Sequence, residues 1–156
     1  MPQENVLYAK VEDFDKRNNK LPIPLYFKPL LNKVTVDIKK SLTNSKVQSV
    51  SISNVSTSFK LYIDNNTKDK INLNKNNRTS FSALVPPMNR YTHGTLTISY
   101  QNGDIFKIPI PPIDLTSNTN YIFQVMIQQN NAYIQNIEIN SWINSTTSII
   151  HGTQND

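Results

Sequence analysis

GTLTISYQNGDIFKIPIPPIDLTSNTNYIFQVMIQQNNAYIQNIEINSW, residues 94–142, is the stretch whose reading decides the fold. Leu96, Ile98 and Tyr100 place an apolar side chain at every second position, and Tyr121, Phe123, Val125 and Ile127 do the same. A period of two turns one face of a strand toward a core and the other toward water. Asn102-Gly103 separates the first two runs. Asn-Gly is the strongest short hairpin signal, because a type I′ turn needs positive φ at both central residues. IPIPP at 108–112 carries the chain across to runs at 120–128 and 132–140, which meet through Gln129-Asn130-Asn131 as a second hairpin. The only tryptophan, Trp142, closes the last run.

Working outward, Val34, Val36 and Ile38 alternate with polar residues, as do Val50 and Ile52, then Phe59, Leu61 and Ile63. INL at 71–73 adds a short strand, and FSALV at 81–85 is stopped by Pro86-Pro87, which cannot donate to a ladder. VLYAKV at 6–11 reads as a short strand. LPIPLYF at 21–27 carries two prolines at alternate positions and reads as an edge strand or an extended lead-in. No helix, heptad or fixed-period repeat is present in the pattern. Short strands at this spacing predict an all-β chain folded as a two-sheet antiparallel β-sandwich of Greek-key type. We expect one domain over residues 1–156, with an ordered core at about 6–142 and a polar C-terminal tail at 143–156. Burying a side chain such as Phe123 or Ile127 contributes roughly 1.5–3 kcal/mol, so a dozen such positions can hold the fold without disulfides or metal.

Composition narrows the function. Charged residues are only 17% of the 156, so Asn, Gln, Ser and Thr must carry the surface. Those residues suit turns and strand exteriors and disfavour helix interiors. With 3 glycines, positive φ is expected to fall on asparagines at Asn65-Asn66, Asn76-Asn77 and Asn130-Asn131. The net charge is +5, but the lysines are scattered and the arginines are only Arg17, Arg78 and Arg90. A nucleic-acid binder shows arginine clusters interleaved with aromatics, so no nucleic-acid partner is expected. Cysteine is absent, which excludes disulfides, thiolate metal sites and cysteine nucleophiles. No run approaches a membrane helix, and no signal segment opens the chain.

Catalytic and metal chemistry find little to stand on. His93 and His151 are expected in loops with no spaced nucleophile or carboxylate; an enzyme would need His93 and a carboxylate such as Asp104 to meet in a cleft. Glu12, Asp13 and Asp15 lack the glycine and terminal glutamate of an EF-hand loop. No cofactor, metal or catalytic residue is expected. Tyr91, Tyr100, Phe106, Tyr121, Tyr133 and Trp142 form either a sugar-stacking platform or core packing, and core is the default in strands.

Two regions carry a family resemblance. PLYFKPLLNKVTVDIKK at 24–40 resembles the segment of Bacteroidetes fimbrillins in which an extended run reaches a Phe and then an apolar strand. FSALVPP at 81–87 is similar to the family's apolar run into "VP". Residues 94–142 close like its C-terminal module, with a hairpin, a tyrosine-led strand, a last strand and a final tryptophan. VLYAKV resembles the short strand that precedes that module. The chain departs from the pattern at Pro29, where the family has histidine, and at Thr119-Asn120, where glycine is usual.

The resemblance implies a transthyretin-like β-sandwich and a non-enzymatic structural or adhesive subunit of a cell-surface fimbria. Such subunits are exported as lipid-linked precursors, lose a strand to proteolysis, and accept a neighbour's strand in the groove it leaves. That is β-augmentation, with main-chain hydrogen bonds for length and alternate side chains for register. The implied partners are other fimbrial subunits or a second copy, with a surface glycan or protein as a further ligand. Membrane attachment would come only through a precursor lipid anchor. On this reading Val6, Leu7, Tyr8 and Ala9 form an exchangeable first strand, and Ser148, Ile149 and Ile150 form a donor tail. Phe27, Tyr121, Phe123 and Trp142 seal the core. A surface carbohydrate-binding sandwich is the alternative reading.

Overall fold

The computed structural model of the chain describes residues 7–9, 24–41, 45–56, 68–128, 131–141 and 146–149. Fourteen strands, and no helix, occur among the described residues. They are β1 (Leu7–Tyr8), β2 (Pro24–Pro29), β3 (Asn32–Ser41), β4 (Val47–Ser56), β5 (Lys68–Asn72), β6 (Asn74–Lys75) and β7 (Ser80–Val85). Then follow β8 (Met88–Tyr91), β9 (Thr95–Tyr100), β10 (Ile105–Pro109), β11 (Ile113–Leu115), β12 (Thr119–Gln128), β13 (Asn131–Ser141) and β14 (Thr146–Ile149). The strand expected at Phe59–Ile63 lies outside the described residues.

A five-stranded sheet, in the order β13-β12-β3-β7-β6, and a four-stranded sheet, β10-β9-β4-β5, supply one common core. The alternating positions named from the sequence are its wall. Val34, Val36, Ile38, Val50, Ile52, Leu96, Ile98, Tyr100, Tyr121, Phe123, Val125 and Ile127 are each exposed by 5% or less. Phe81, Ala83 and Val85 of β7 join them. Alternation therefore placed the inward faces correctly, and the chain is an all-β sandwich. One ladder departs from the antiparallel rule: β3 and β12 run parallel, with Val34 beside Tyr121 and Val36 beside Phe123. A period of two is the same whichever way a neighbour runs, so the pattern is silent on direction.

The turns differ from expectation in instructive ways. The hairpin of β9 and β10 forms, closed by Gly103 N–H to Tyr100 O at 3.1 Å and Tyr100 N–H to Asp104 O at 2.9 Å. Gly103 alone takes positive φ there, at 93°, so the loop is not the doubly left-handed type I′ turn. Asn102 is held otherwise. Its Nδ2 donates to Asp104 Oδ2 at 2.7 Å, its Oδ1 accepts from Asp104 N–H at 3.2 Å, and its N–H donates to Ser45 Oγ at 3.1 Å. Asn76 and Asn77 do not adopt positive φ either. Asn77 Oδ1 instead accepts the N–H groups of Thr79 and Ser80, each at 2.9 Å. That is an Asx-type cap on the turn into β7.

Positive φ falls on Asn54, Arg90, His93 and Asn118. Two of these mark register slips. Between Ile52 and Val55, β4 holds one residue more than β5, and Asn54 at φ 59° absorbs it. Its Nδ2 donates to Thr92 O at 2.6 Å. Between Ile113 and Leu115 the β8 side holds the extra residue, with Arg90 at φ 52° and its N–H donating to Asp114 Oδ1 at 2.7 Å. β8 and β11 form a separate two-stranded ribbon that the proline-rich crossing concealed.

Two tyrosines tie this ribbon to the sheets. Tyr91, 1% exposed, donates its Oη to Ser53 O at 2.6 Å. Tyr121 donates to Asp114 O at 2.7 Å and accepts from Thr116 N–H at 2.8 Å. Each ring fills core volume while its hydroxyl bonds a main-chain carbonyl of a neighbouring strand.

Candidate strand-addition edges

The segments singled out as exchangeable converge on one strand. β1, β2 and β14 form a small sheet of their own, in that order. Leu7 pairs with Pro29 and Tyr8 with Lys28, both antiparallel. Thr146, Thr147, Ser148 and Ile149 pair with Phe27, Tyr26, Leu25 and Pro24, also antiparallel. β1 and β14 thus take successive stretches of β2 and share none of its residues. The polar tail accordingly contributes a strand, and β2 has two neighbours where an edge strand has one. Its prolines stand at the first and last positions, where a missing donor costs least.

Leu7 is 53% exposed, while Tyr8 and Ala9 are half-buried. Val6 and Ile150 lie outside the described residues. Phe27 is half-buried on β2, and Tyr121 and Phe123 are core residues of β12. Trp142 also lies outside the described residues. The sequence offered no sign that the first strand and the tail would share a partner.

The outer strands of the two large sheets are unequal. β6 is two residues long, β5 carries Lys68, Asp69 and Lys70, and β10 contains Lys107 and ends at Pro109. Shortness, charge and proline are the usual guards on an edge. β13 is eleven residues long, contains no proline or lysine, and has Glu138 as its single charge. Its one guard is an irregularity at Gln135, where Asn136 pairs with Gln124 but Ile134 pairs with Val125. Ile139 and Tyr133 on this strand are 58% and 39% exposed.

The chemical alternatives thin out against this geometry. His93 precedes β9 and Asp104 follows it, so six strand residues, about 20 Å of extended chain, lie between them. The two do not meet in a cleft. Among the described residues no three of His, Asp or Glu cluster as a metal site would require; His151, Glu12, Asp13 and Asp15 lie outside them. Four of the six aromatics belong to the core or pack against it: Tyr91, Tyr100 and Tyr121 are buried, and Phe106 packs edge-on to Tyr100 with centroids 5.9 Å apart, whereas Tyr133 is exposed. Burial alone pushes the Tyr91 hydroxyl up to about 12.

Solved structures share this architecture. A candidate cell adhesion protein from Bacteroides uniformis superposes with a TM-score of 0.64 at 19% identity, over 76% of this chain and 53% of that one. A candidate cell adhesion protein from Bacteroides ovatus gives 0.58 at 15% identity, over 76% and 48%. The tip fimbrial protein Mfa3 from Porphyromonas gingivalis gives 0.56 at 12% identity, over 74% and 52%. The chain spans about half the length of these structures. Comparison of the sequence with curated proteins finds no match. The fimbrillin-like family model matches residues 2–142, nearly the whole strand framework described above, and the chain belongs to that family.

Proposed function

We propose that this chain is a non-enzymatic structural or adhesive subunit of a bacterial cell-surface fimbria, joined to its neighbours by β-strand addition. Its partners are other fimbrial subunits or further copies of itself, and it works outside the cell after export. Family membership supports the setting. The observation that carries the assembly mode is the meeting of β1 and β14 on β2.

The energetics of that meeting favour exchange. Four antiparallel pairs hold β14. A backbone hydrogen bond contributes a net ~0.5–1.5 kcal/mol, while ordering each residue costs ~1–2 kcal/mol. These nearly cancel, so β14 seated on its own β2 is a marginal arrangement. An equivalent strand from a neighbour can replace it at little cost, and many such contacts in series build a fibre. β1, with two pairs and Leu7 in solvent, is weaker still.

Deletion of residues 143–156 tests this. The truncated chain should keep its melting temperature to within about 3 °C, consistent with a loss under 1 kcal/mol. The full chain should form head-to-tail multimers on size-exclusion chromatography, and the truncated chain should lose them. Multimers of unchanged size after the deletion reject the tail as donor.

A further inference from the structure

We infer that the outer face of β12 and β13 is a binding track for a neutral polysaccharide, a site separate from the strand edges used in assembly. The face follows from the register. Tyr121, Phe123 and Val125 point into the core, so Asn120, Ile122, Gln124 and Met126 point outward. Pairing sets Asn140 beside Asn120, Glu138 beside Ile122, Asn136 beside Gln124 and Tyr133 beside Met126. Four rows result. At about 6.6 Å per two residues they run about 20 Å along the strands, the length of several linked sugar rings.

The chemistry of the rows is that of hydroxyl recognition. Asn136 and Asn140 are exposed, and their carboxamides bond to nothing among the described residues. Asn120 Oδ1 accepts from Thr35 Oγ1 at 3.1 Å, which leaves its Nδ2 outward. Gln124 Nε2 donates to Glu138 Oε1, which leaves the Gln124 carbonyl outward. A carboxamide presents a donor and an acceptor in one plane, the complement of two neighbouring hydroxyls that each donate and accept. Tyr133 ends the track with a ring 39% exposed, whereas Tyr91, Tyr100 and Tyr121 are buried. An exposed ring with a polar tip suits the apolar face of a sugar.

Charge selects the neutral class. The chain carries +5, yet the only charge on β12 and β13 is Glu138, already engaged by Gln124. On neighbouring β3, Lys33 pairs beside Asn120, and Lys39 lies 3.8 Å from Asp37. β12 and β13 thus contribute no cation of their own to hold a sulfated glycan, a nucleic acid or an anionic lipid surface.

Native affinity electrophoresis of the full chain in gels containing a β-glucan, a mannan, a galactan or dextran sulfate tests the track. Retardation by at least one neutral polymer is expected. Tyr133→Ala and the double change Asn136→Ala with Asn140→Ala should each weaken it by about tenfold, while Lys107→Ala on the other sheet should leave it unchanged. All of these positions are exposed, and unaltered melting curves will confirm folding. Retardation by dextran sulfate alone, by no polymer, or equally for the Tyr133 and Asn variants overturns the inference. The same variants should form multimers as the unaltered chain does, so failure of the assembly reading shows separately in the size-exclusion profile.

Discussion

Gly94→Ala puts the packing around the β8–β11 ribbon to a sharp test. A Cβ built at Gly94 would sit 2.1 Å from Tyr91 Oη, 2.2 Å from its Cζ and 2.6 Å from its Cε1. The backbone there is not left-handed, so space alone decides. The glycine cannot retreat, because its carbonyl accepts from Ile110 N–H at 2.9 Å and the next N–H, of Thr95, donates to Ser53 Oγ at 3.2 Å. The ring must therefore leave. Overpacking of this kind costs ~1–3 kcal/mol, and breaking the Tyr91 bond orphans the Ser53 carbonyl at a further ~1–3 kcal/mol. We expect a loss of about 4 kcal/mol, read as a shift in the urea midpoint by circular dichroism at constant slope. Tyr91→Leu removes the three colliding atoms, so in that background Gly94→Ala should cost under about 0.5 kcal/mol. A coupling of ~3.5 kcal/mol between the two sites is thus expected. If Gly94→Ala costs under 1 kcal/mol, or the two changes are additive, the ring does not lie over Gly94 and the account of this end of the sandwich fails.

Two further predictions use the same scaffold. Tyr91→Phe should destabilise by about 1–2 kcal/mol at pH 8 by stranding Ser53 O. Because burial raises the Tyr91 hydroxyl from 10.0 to about 12, its contribution is whole below pH 10 and declines as pH rises toward 12. The gap between the two proteins should therefore narrow over that window in pH-dependent urea melts, and a constant gap would argue that the hydroxyl is hydrated. Asn32 is fully buried on β3, and neither its Oδ1 nor its Nδ2 bonds to any described residue. Asn32→Leu removes that burden at similar volume and should raise stability by about 1–3 kcal/mol. A drop in melting temperature would mean that an internal partner satisfies the amide.

Much of the framework was legible because period two reports burial directly. Val34 to Ile38, Leu96 to Tyr100 and Tyr121 to Ile127 each announced a strand and its inward face, and all are buried. β7 stopped where Pro86 required. What escaped reading had no such signature. β8 and β11 are four and three residues long, too short for alternation to show, and their pairing rests on Tyr91, Arg90 and Asp114 meeting across 24 residues of sequence. β14 lay in a run of Thr and Ser with little apolar content. The left-handed positions at Asn54 and Arg90 are set by bulges that only strand pairing creates.

For the candidate sites the division is similar. Residue types alone told that this chain carries no cysteine chemistry, little arginine, and a surface of amides and hydroxyls, because these are counts. Which amides stand side by side on β12 and β13, and that residues 7–8 and 146–149 both reach β2, depended on register and on contacts spanning nearly the whole chain. Local preference acts over a few residues, whereas strand partners are selected by the closing of a shared core, and that selection exists only once the two sheets have met.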